Sequence, residues 1–332
     1  MESKASNRRR ASHLAGLTPL LEAAQRGGYA VGALNFCNAE TAEAIVEQAA
    51  ALGSPVVLMT GPWEMPLLGA KARAAIVERL AAEADVPVCL HLDHAGDLDS
   101  VRECLEAGFP SVMFDGSRQE FEENVRLTRE AVEMARAWGA TVEGELGAVG
   151  SVGAAEGDAE RSLTEPQQAA EFVERTGVDA LAVAIGNAHG IYPQRPELDF
   201  ERLARIREAT QAPLVLHGGS GMPAEQLQRA VAAGISKVNV ASELSRAYLG
   251  AIEQALAATG GSVWYAGAAA GEDGRGAGGA AVDARPGQRR ESGLGAASGS
   301  GSPAERGEGR GSRNLPGPSV GGLRLTKRGT RR

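Results

Sequence analysis

Pro87-Val88-Cys89-Leu90-His91-Leu92-Asp93-His94-Ala95-Gly96-Asp97 is the stretch around which the rest of the chain is arranged. Val88, Cys89 and Leu90 suit a buried strand, and His91, Asp93 and His94 then stand where such a strand ends. Side chains of neighbours such as Asp93 and His94 point to opposite faces of an extended backbone, so a turn at the strand terminus is needed to bring both to one mouth. Taken alone, the segment reads equally well as one buried histidine and a helix-capping Asp. Its companions tip the reading. His189 follows Leu181-Ala182-Val183-Ala184-Ile185, and His217 follows Pro213-Leu214-Val215-Leu216. Three apolar strands, each delivering a histidine at its end, point to a metal site.

The same alternation of short apolar runs and amphipathic stretches extends outward from there. Strands are expected at Tyr29 to Phe36, Pro55 to Thr60, Val86 to Leu92, Ser111 to Phe114, Thr141 to Glu145, Ala180 to Ile185, Pro213 to His217 and Lys237 to Val240. A helix from Leu17 to Arg26 precedes the first strand. Further helices follow the strands at Ala39 to Leu52, Pro66 to Glu83, Leu98 to Ala107, Gln119 to Trp138, Pro166 to Thr176, Leu198 to Ala209, Pro223 to Ala233 and Ser242 to Ala258. Eight β–α units at this spacing call for a parallel sheet with helical crossovers, and their number and length match a closed (β/α)8 barrel, the TIM-barrel architecture. An open doubly wound sheet is the alternative. No Gly-x-Gly-x-x-Gly follows the first strand, however, and Gly27-Gly28 precedes it, so the dinucleotide fingerprint fails on context.

Composition narrows the setting. The 332 residues are 43% hydrophobic, enough for a sizeable core. Cys37, Cys89 and Cys104 are an odd set without metal-finger spacing and read as reduced thiols of an intracellular protein. No apolar run reaches the length of a membrane span and no secretory leader opens the chain, so a cytoplasmic location is expected. The net charge of −8 hides a split: residues 267–332 carry twelve Lys/Arg against six Asp/Glu, leaving a strongly acidic body. An acidic body argues against nucleic acid as a partner. Residues 1–13 are polar and aperiodic and are expected to form a disordered leader, with His13 merely solvated. The barrel is assigned to residues 14–266. Residues 267–332, rich in Gly, Ala, Arg, Ser and Pro, are expected to form a low-complexity disordered tail, because such a composition cannot bury enough surface to fold.

In a barrel of this kind reactive groups gather at the C-terminal ends of the strands. Asn35, Asp93, His94, Asp115, Glu143, Glu145, His189, His217 and Asn239 all fall there on this reading. Three neutral imidazoles form the ligand set of a catalytic zinc with one open position. Gly218-Gly219-Ser220-Gly221 and Asn239-Val240-Ala241-Ser242 follow the last two strands at helix starts, where backbone N–H groups and hydroxyls can cradle a phosphate. Read without that chemistry, both are ordinary βα turns with Ser242 as a cap. A metal beside a phosphate nest fits a phosphorylated hydroxy-ketone.

At this point the chain resembles the class II, metal-dependent ketose-bisphosphate aldolases, and most closely their shorter branch of fructose- and tagatose-bisphosphate enzymes. The resemblance runs from about Leu17 to Ala257. It is carried by Leu90-His91-Leu92-Asp93-His94, Ser111-Val112-Met113-Phe114-Asp115-Gly116-Ser117, Val142-Glu143-Gly144-Glu145-Leu146-Gly147, Val183-Ala184-Ile185-Gly186-Asn187-Ala188-His189-Gly190, Leu216-His217-Gly218-Gly219-Ser220-Gly221 and Lys237-Val238-Asn239-Val240-Ala241-Ser242. It implies cleavage of a ketose 1,6-bisphosphate to dihydroxyacetone phosphate and an aldehyde. It makes His94, His189 and His217 the zinc ligands, Asp93 the acid/base for the aldehyde-side hydroxyl, and Asp115 and Glu145 positions of a second or resting-state metal. Gly190, Gly218, Gly219, Ser220, Asn239, Val240, Ala241 and Ser242 would bind dihydroxyacetone phosphate, and Asn35 joins them as a substrate contact. Zn2+ is the expected cofactor, with Na+ or K+ as a further one, and a homodimer or homotetramer is the expected assembly. His91 has no chemistry in the family and is read as structural.

Two departures stand out. Relatives carry a Glu or Glu-Asp pair in the loop after the Glu-Leu-Gly motif, where this chain has Val152 and Gly153, so Glu156 becomes the candidate for that proton transfer. Relatives also continue past the last barrel helix with an Arg-bearing segment and an amphipathic helix, whereas this chain changes composition after Ala266. A related phospho-sugar aldolase with another aldehyde partner, and a non-catalytic zinc- and sugar-phosphate-binding homologue, are the alternatives these departures leave.

Overall fold

The computed structural model describes residues 13–152 and 163–258. Residues 1–12 of the expected 1–13 leader, the loop residue Glu156 and everything from 259 onward lie outside the described residues.

A helix α1 (Leu17–Gly27) leads into eight parallel strands that close on themselves. The chain runs β1 (Val31–Asn35), α2 (Ala39–Ala51), β2 (Val56–Thr60), α3 (Ala70–Glu83), β3 (Val88–Ala95), α4 (Leu98–Ala107), β4 (Ser111–Phe114), α5 (Phe121–Arg136) and β5 (Thr141–Leu146). It continues through β6 (Gly150–Ser151), α6 (Pro166–Thr176), β7 (Ala180–Val183), β8 (Ala188–His189), α7 (Phe200–Ala209), β9 (Leu214–Leu216), α8 (Ala224–Ala232), β10 (Ile235–Val240) and α9 (Ser242–Ala258). The barrel order is β1-β10-β9-β7-β5-β4-β3-β2, with β1 closing against β2. The expected barrel is therefore the observed fold, and the doubly wound alternative is excluded.

Period-two alternation sorts each strand between two cores. Leu58 on β2, Leu90 and Leu92 on β3, Val142 and Leu146 on β5, and Val238 and Val240 on β10 join the large cluster between barrel and helices. Val57, Met59, Cys89, Met113, Ala180, Ala182 and Val215 join a second cluster inside the barrel, closed at one end by Leu17, Leu20 and Leu21 of α1. By the same alternation His91 and Asp93 on β3, Ser111 on β4, Glu143 and Glu145 on β5, and Lys237 and Asn239 on β10 share the inner face. All seven are buried.

Several boundaries differ from expectation. The helix expected from Pro66 begins at Ala70, because residues 61–69 form a loop whose carbonyls are taken by the Arg73 side chain of α3. The strand expected to Ile185 ends at Val183, and that expected from Lys237 begins at Ile235. The β6–β8 pair was not expected; it ties the loop after β5 to the segment bearing His189 through Ser151 paired with His189. Among the described residues no helix is long and apolar enough to cross a membrane.

Candidate active site

How Asp93 and His94 come to share one mouth is settled by a backbone irregularity. The register of β3 against β4 shifts between Leu92 and Ala95. His94 has φ of 50°, the one positive φ at a non-glycine among the described residues. A bulge at the strand end re-aims one side chain, and here it turns His94 inward beside Asp93. The His94 amide donates to Met113 Sδ at 3.4 Å, which helps to hold the turn.

His94, His189 and His217 then converge. One nitrogen of each lies within 4.8 Å of the others, and His94 forms a second such group with Asp115 and Glu145. His217 Nδ1 and His94 Nε2 face each other at 2.9 Å. The opposite nitrogens are held by carboxylates: His94 Nδ1 lies 2.8 Å from Asp115 Oδ2, and His217 Nε2 lies 2.9 Å from Glu143 Oε1. Asp115 is fixed in turn by the Ser117 amide at 3.1 Å and hydroxyl at 2.6 Å. This is the arrangement in which a metal-binding imidazole is oriented from behind by a carboxylate.

The electrostatics favour a cation. Burial opposes charge on His94, but Asp93, Asp115 and Glu145 outweigh it and raise its pKa to about 10. Burial and then His94 bring His189 down to about 4, and burial leads the shift of His217 well below the usual imidazole range. Burial, then Asp115, pushes Glu145 up to about 8. Burial works against the Asp115 carboxylate too, yet the hydrogen bond from His94 wins and lowers its pKa. The cluster thus favours positive charge at His94 and opposes it at His189 and His217. Glu145 Oε2 is buried without a hydrogen-bond partner among the described residues, 3.7 Å from both His94 Nδ1 and His217 Nδ1. These donors suit a divalent ion of zinc type.

Asp93 accepts from Asn239 Nδ2 at 3.1 Å, and burial raises its pKa against the pull of His94 and Lys237. Asn35 Nδ2 donates to Glu64 Oε1 at 3.2 Å. The other amide oxygens, Asn35 Oδ1 and Asn239 Oδ1, are buried without partners among the described residues, as is Thr60 Oγ1. Thr60 follows Leu58 on the outer face of β2, whereas the two inward amide oxygens of Asn35 and Asn239 are placed to accept from the hydroxyl groups of a polyol.

The two turns expected to cradle phosphate pack on each other. Gly218 has φ of 67°, and a Cβ there would meet Ala188 O, so its glycine serves close approach of β8. Gly219 N donates to Asn239 O at 2.8 Å. Ser220 Oγ accepts from the amides of Ala241 at 3.1 Å and Glu243 at 3.3 Å, while Gly221 N donates to Glu243 Oε2 at 3.3 Å. Four donors thus gather beside α9, facing a hydroxyl, a carbonyl and an exposed carboxylate. Gly190 (φ 111°) lies in the same region, where a Cβ would crowd Val152 at 3.3 Å.

Glu143 corrects the expected ring at the strand ends. It lies mid-strand opposite Met113 and Ala180, one inward position deeper than Glu145, because β5 continues to Leu146. There it meets Lys237, with Nζ 2.8 Å from Oε2. Sequence reading missed Lys237, although its inward phase in the eighth strand was the available signal. His91, read as structural, is buried with Nδ1 2.7 Å from Ser111 Oγ and Nε2 3.8 Å from Glu143 Oε2. Trp63 and Glu64 were also missed: the loop after β2 sets the Trp63 ring 6.2 Å from that of His94.

Comparison with known proteins agrees with this geometry. The family model for class II fructose-bisphosphate aldolase matches residues 15–283. The YdjI aldolase from Escherichia coli K12 is 38% identical, with TM-score 0.66 over 72% of this chain and 86% of that one. A putative fructose-1,6-bisphosphate aldolase from Coccidioides immitis is 35% identical, with TM-score 0.65 over 74% and 86%. The fructose-bisphosphate aldolase of Campylobacter jejuni is 26% identical, with TM-score 0.64 over 75% and 83%.

Proposed function

Because the chain belongs to the class II fructose-bisphosphate aldolase family and is an aldolase, a carbon–carbon lyase, we propose that it reversibly cleaves a ketose 1,6-bisphosphate of fructose or tagatose type, with a zinc ion held by His94, His189 and His217. The products are dihydroxyacetone phosphate and glyceraldehyde 3-phosphate. The observation that carries this reading is the convergence of three imidazole nitrogens, two of them backed by carboxylates, at the mouth of the barrel. Bound there, zinc supplies Lewis-acid polarisation of the ketose carbonyl.

The chain's own residues do the rest. Asp93, buried and steadied by Asn239, takes the proton of the C4 hydroxyl as the C3–C4 bond breaks, and returns it in the condensation direction. The electron pair of that bond stays with the ketone half, and a second proton must reach it from another group. Glu156 is assigned to that transfer, since Val152 stands where relatives carry a carboxylate. Asn35 and Asn239 offer free amide oxygens to substrate hydroxyls. Gly190, Gly218, Gly219, Ser220 and residues 239–242 bind the phosphate of the dihydroxyacetone half, which requires the Glu243 carboxylate to swing out into solvent.

The test is coupled detection of triose phosphate from zinc-loaded protein, supplied separately with fructose and tagatose 1,6-bisphosphate. Cleavage of one of them, abolished by a chelator and restored by zinc, is expected. Stoichiometric zinc without cleavage of either would replace the proposal by the non-catalytic binding reading.

A further inference from the structure

Below the histidine cluster lies a buried chain of polar groups that no step above employs. Lys237 on β10 and Glu143 on β5 reach across the barrel interior, both fully buried, to pair at 2.8 Å. The second oxygen of Glu143 meets His217 Nε2 at 2.9 Å. A carboxylate only accepts, so this contact puts a proton on Nε2 and leaves the lone pair of the neutral ring on Nδ1. Nδ1 is the atom that faces His94 and Glu145. Which nitrogen of His217 is free to ligate is therefore decided by Glu143.

A carboxylate cannot sit unpaired in such a place without a large desolvation cost, and Lys237 supplies the counter-charge from the opposite wall. His91 completes the layer. Its Nδ1 is engaged by Ser111, and its Nε2 stays 3.8 Å from Glu143 Oε2, too far to compete with Lys237. The neighbouring inward positions Cys89, Met113 and Val215 are apolar. Well-packed apolar residues would serve stability there as well as a buried ion pair. What they could not do is direct the proton of His217.

We propose that Lys237 and Glu143 form a positioning relay that fixes the Nε2–H tautomer of His217 and so preorganises its Nδ1 for zinc. This rests on the zinc reading given above, and neither residue touches substrate. Asp115 does the corresponding work for His94 from the mouth side, so two of the three imidazoles are aimed from behind.

The full-length chain labelled with 15N-histidine tests the relay directly in its zinc-free form, His217 being assigned by comparison with His217→Gln. The expected signature is a proton-bearing Nε2 and a pyridine-like Nδ1. A ring protonated on Nδ1, or on both nitrogens, at neutral pH overturns the proposal without any further variant. In Glu143→Gln the amide must turn its NH2 either toward Lys237 or toward His217, so the tautomer is expected to become mixed. Zinc affinity, measured by competition with a chromophoric chelator, is expected to weaken roughly 10- to 100-fold in that variant. The double variant Glu143→Gln/Lys237→Met removes both buried charges. It is expected to melt closer to the wild type than Lys237→Met alone, yet to keep the weakened zinc affinity. Wild-type zinc affinity in Glu143→Gln and in the double variant would sink the relay even if cleavage activity persisted. Zinc bound with the expected tautomer, but with neither bisphosphate cleaved, would sink the substrate reading alone.

Discussion

His94 occupies the left-handed region at φ 50°, a conformation that costs a non-glycine residue roughly 1–3 kcal/mol. The cost is offset by placing two adjacent side chains on one side of the barrel mouth, which a regular strand forbids. Their roles separate by experiment. His94→Ala, His189→Ala and His217→Ala are each expected to lose zinc and activity together, checked by metal analysis after dialysis. Full metal content in all three would remove the triad as the site. Asp93→Ala should retain zinc while turnover drops about 10²- to 10⁴-fold, the usual scale for a lost acid/base. A change confined to KM would make Asp93 a binding residue instead. Glu243 offers a gain-of-function check, since its carboxylate holds the Gly221 amide at 3.3 Å in the expected phosphate turn. Glu243→Gln removes a like charge from the path of the phosphate. A KM about 2- to 5-fold lower for the bisphosphate is expected, in keeping with an exposed pair; an unchanged or higher KM would place the phosphate elsewhere.

Among the elements, the loop 61–69 is the one whose construction explains a misplaced boundary. Arg73 of α3 is fully buried and spends its guanidinium on carbonyls: Leu68 O at 2.6 Å, Glu64 O at 2.7 Å and Phe36 O at 3.1 Å. It also lies 5.1 Å from the Phe36 ring centroid. Glu64 accepts from Asn35, and Trp63 is left 59% exposed beside His94. Arg73→Met would take the side-chain donor from Leu68 O and Phe36 O, while Glu64 O keeps the Leu67 and Leu68 amides, so a loss of about 2–4 kcal/mol in unfolding free energy is expected. Denaturant melts should register it, along with faster amide exchange in residues 61–69; exchange unchanged there would mean that the loop stands without Arg73. None of this shows in the sequence, because Pro66 alone resembles a helix start while the decisive contact comes from a residue seven positions later. The eight barrel strands were legible for the opposite reason. Runs such as Val56–Thr60 and Leu214–Leu216 are apolar, short and bounded, and they are buried on both faces. The two-residue β6 and β8 have no periodicity to read and exist only because two loops meet. The three histidines were legible because each ends such a run. The pairing of Glu143 with Lys237 was not, since it joins strands 94 residues apart.

For the whole molecule, the open question of design is what covers α9. This helix of 17 residues buries only Ala255 and leaves Leu249 63% exposed, although Tyr248 anchors it by accepting from Asn38 at 2.9 Å. The expected homodimer or homotetramer would cover it, and the apolar residues after 258 are the competing candidate that truncation puts to the test. Composition proposes that residues 267–332 are a dispensable disordered tail, whereas the family match continues to residue 283. Chains ended at 283, at 266 and at 258 separate these views through thermal melts, sedimentation and kinetics. The chain ended at 283 is expected to keep the melting temperature, mass and kcat/KM of the full chain, because neither the composition nor the family match extends the barrel past that residue. On the compositional argument the chain ended at 266 behaves alike. A fall of more than about 4 °C between those two would correspond to at least roughly 1 kcal/mol for a domain of this size and would return residues 267–283 to the enzyme. Ending the chain at 258 removes Val263, Trp264 and Tyr265, the last large apolar cluster before the change in composition. If these cover α9, the melting temperature falls at that step with the oligomer mass unchanged. If a second copy covers it, the mass holds and the melting temperature of all three chains depends on protein concentration.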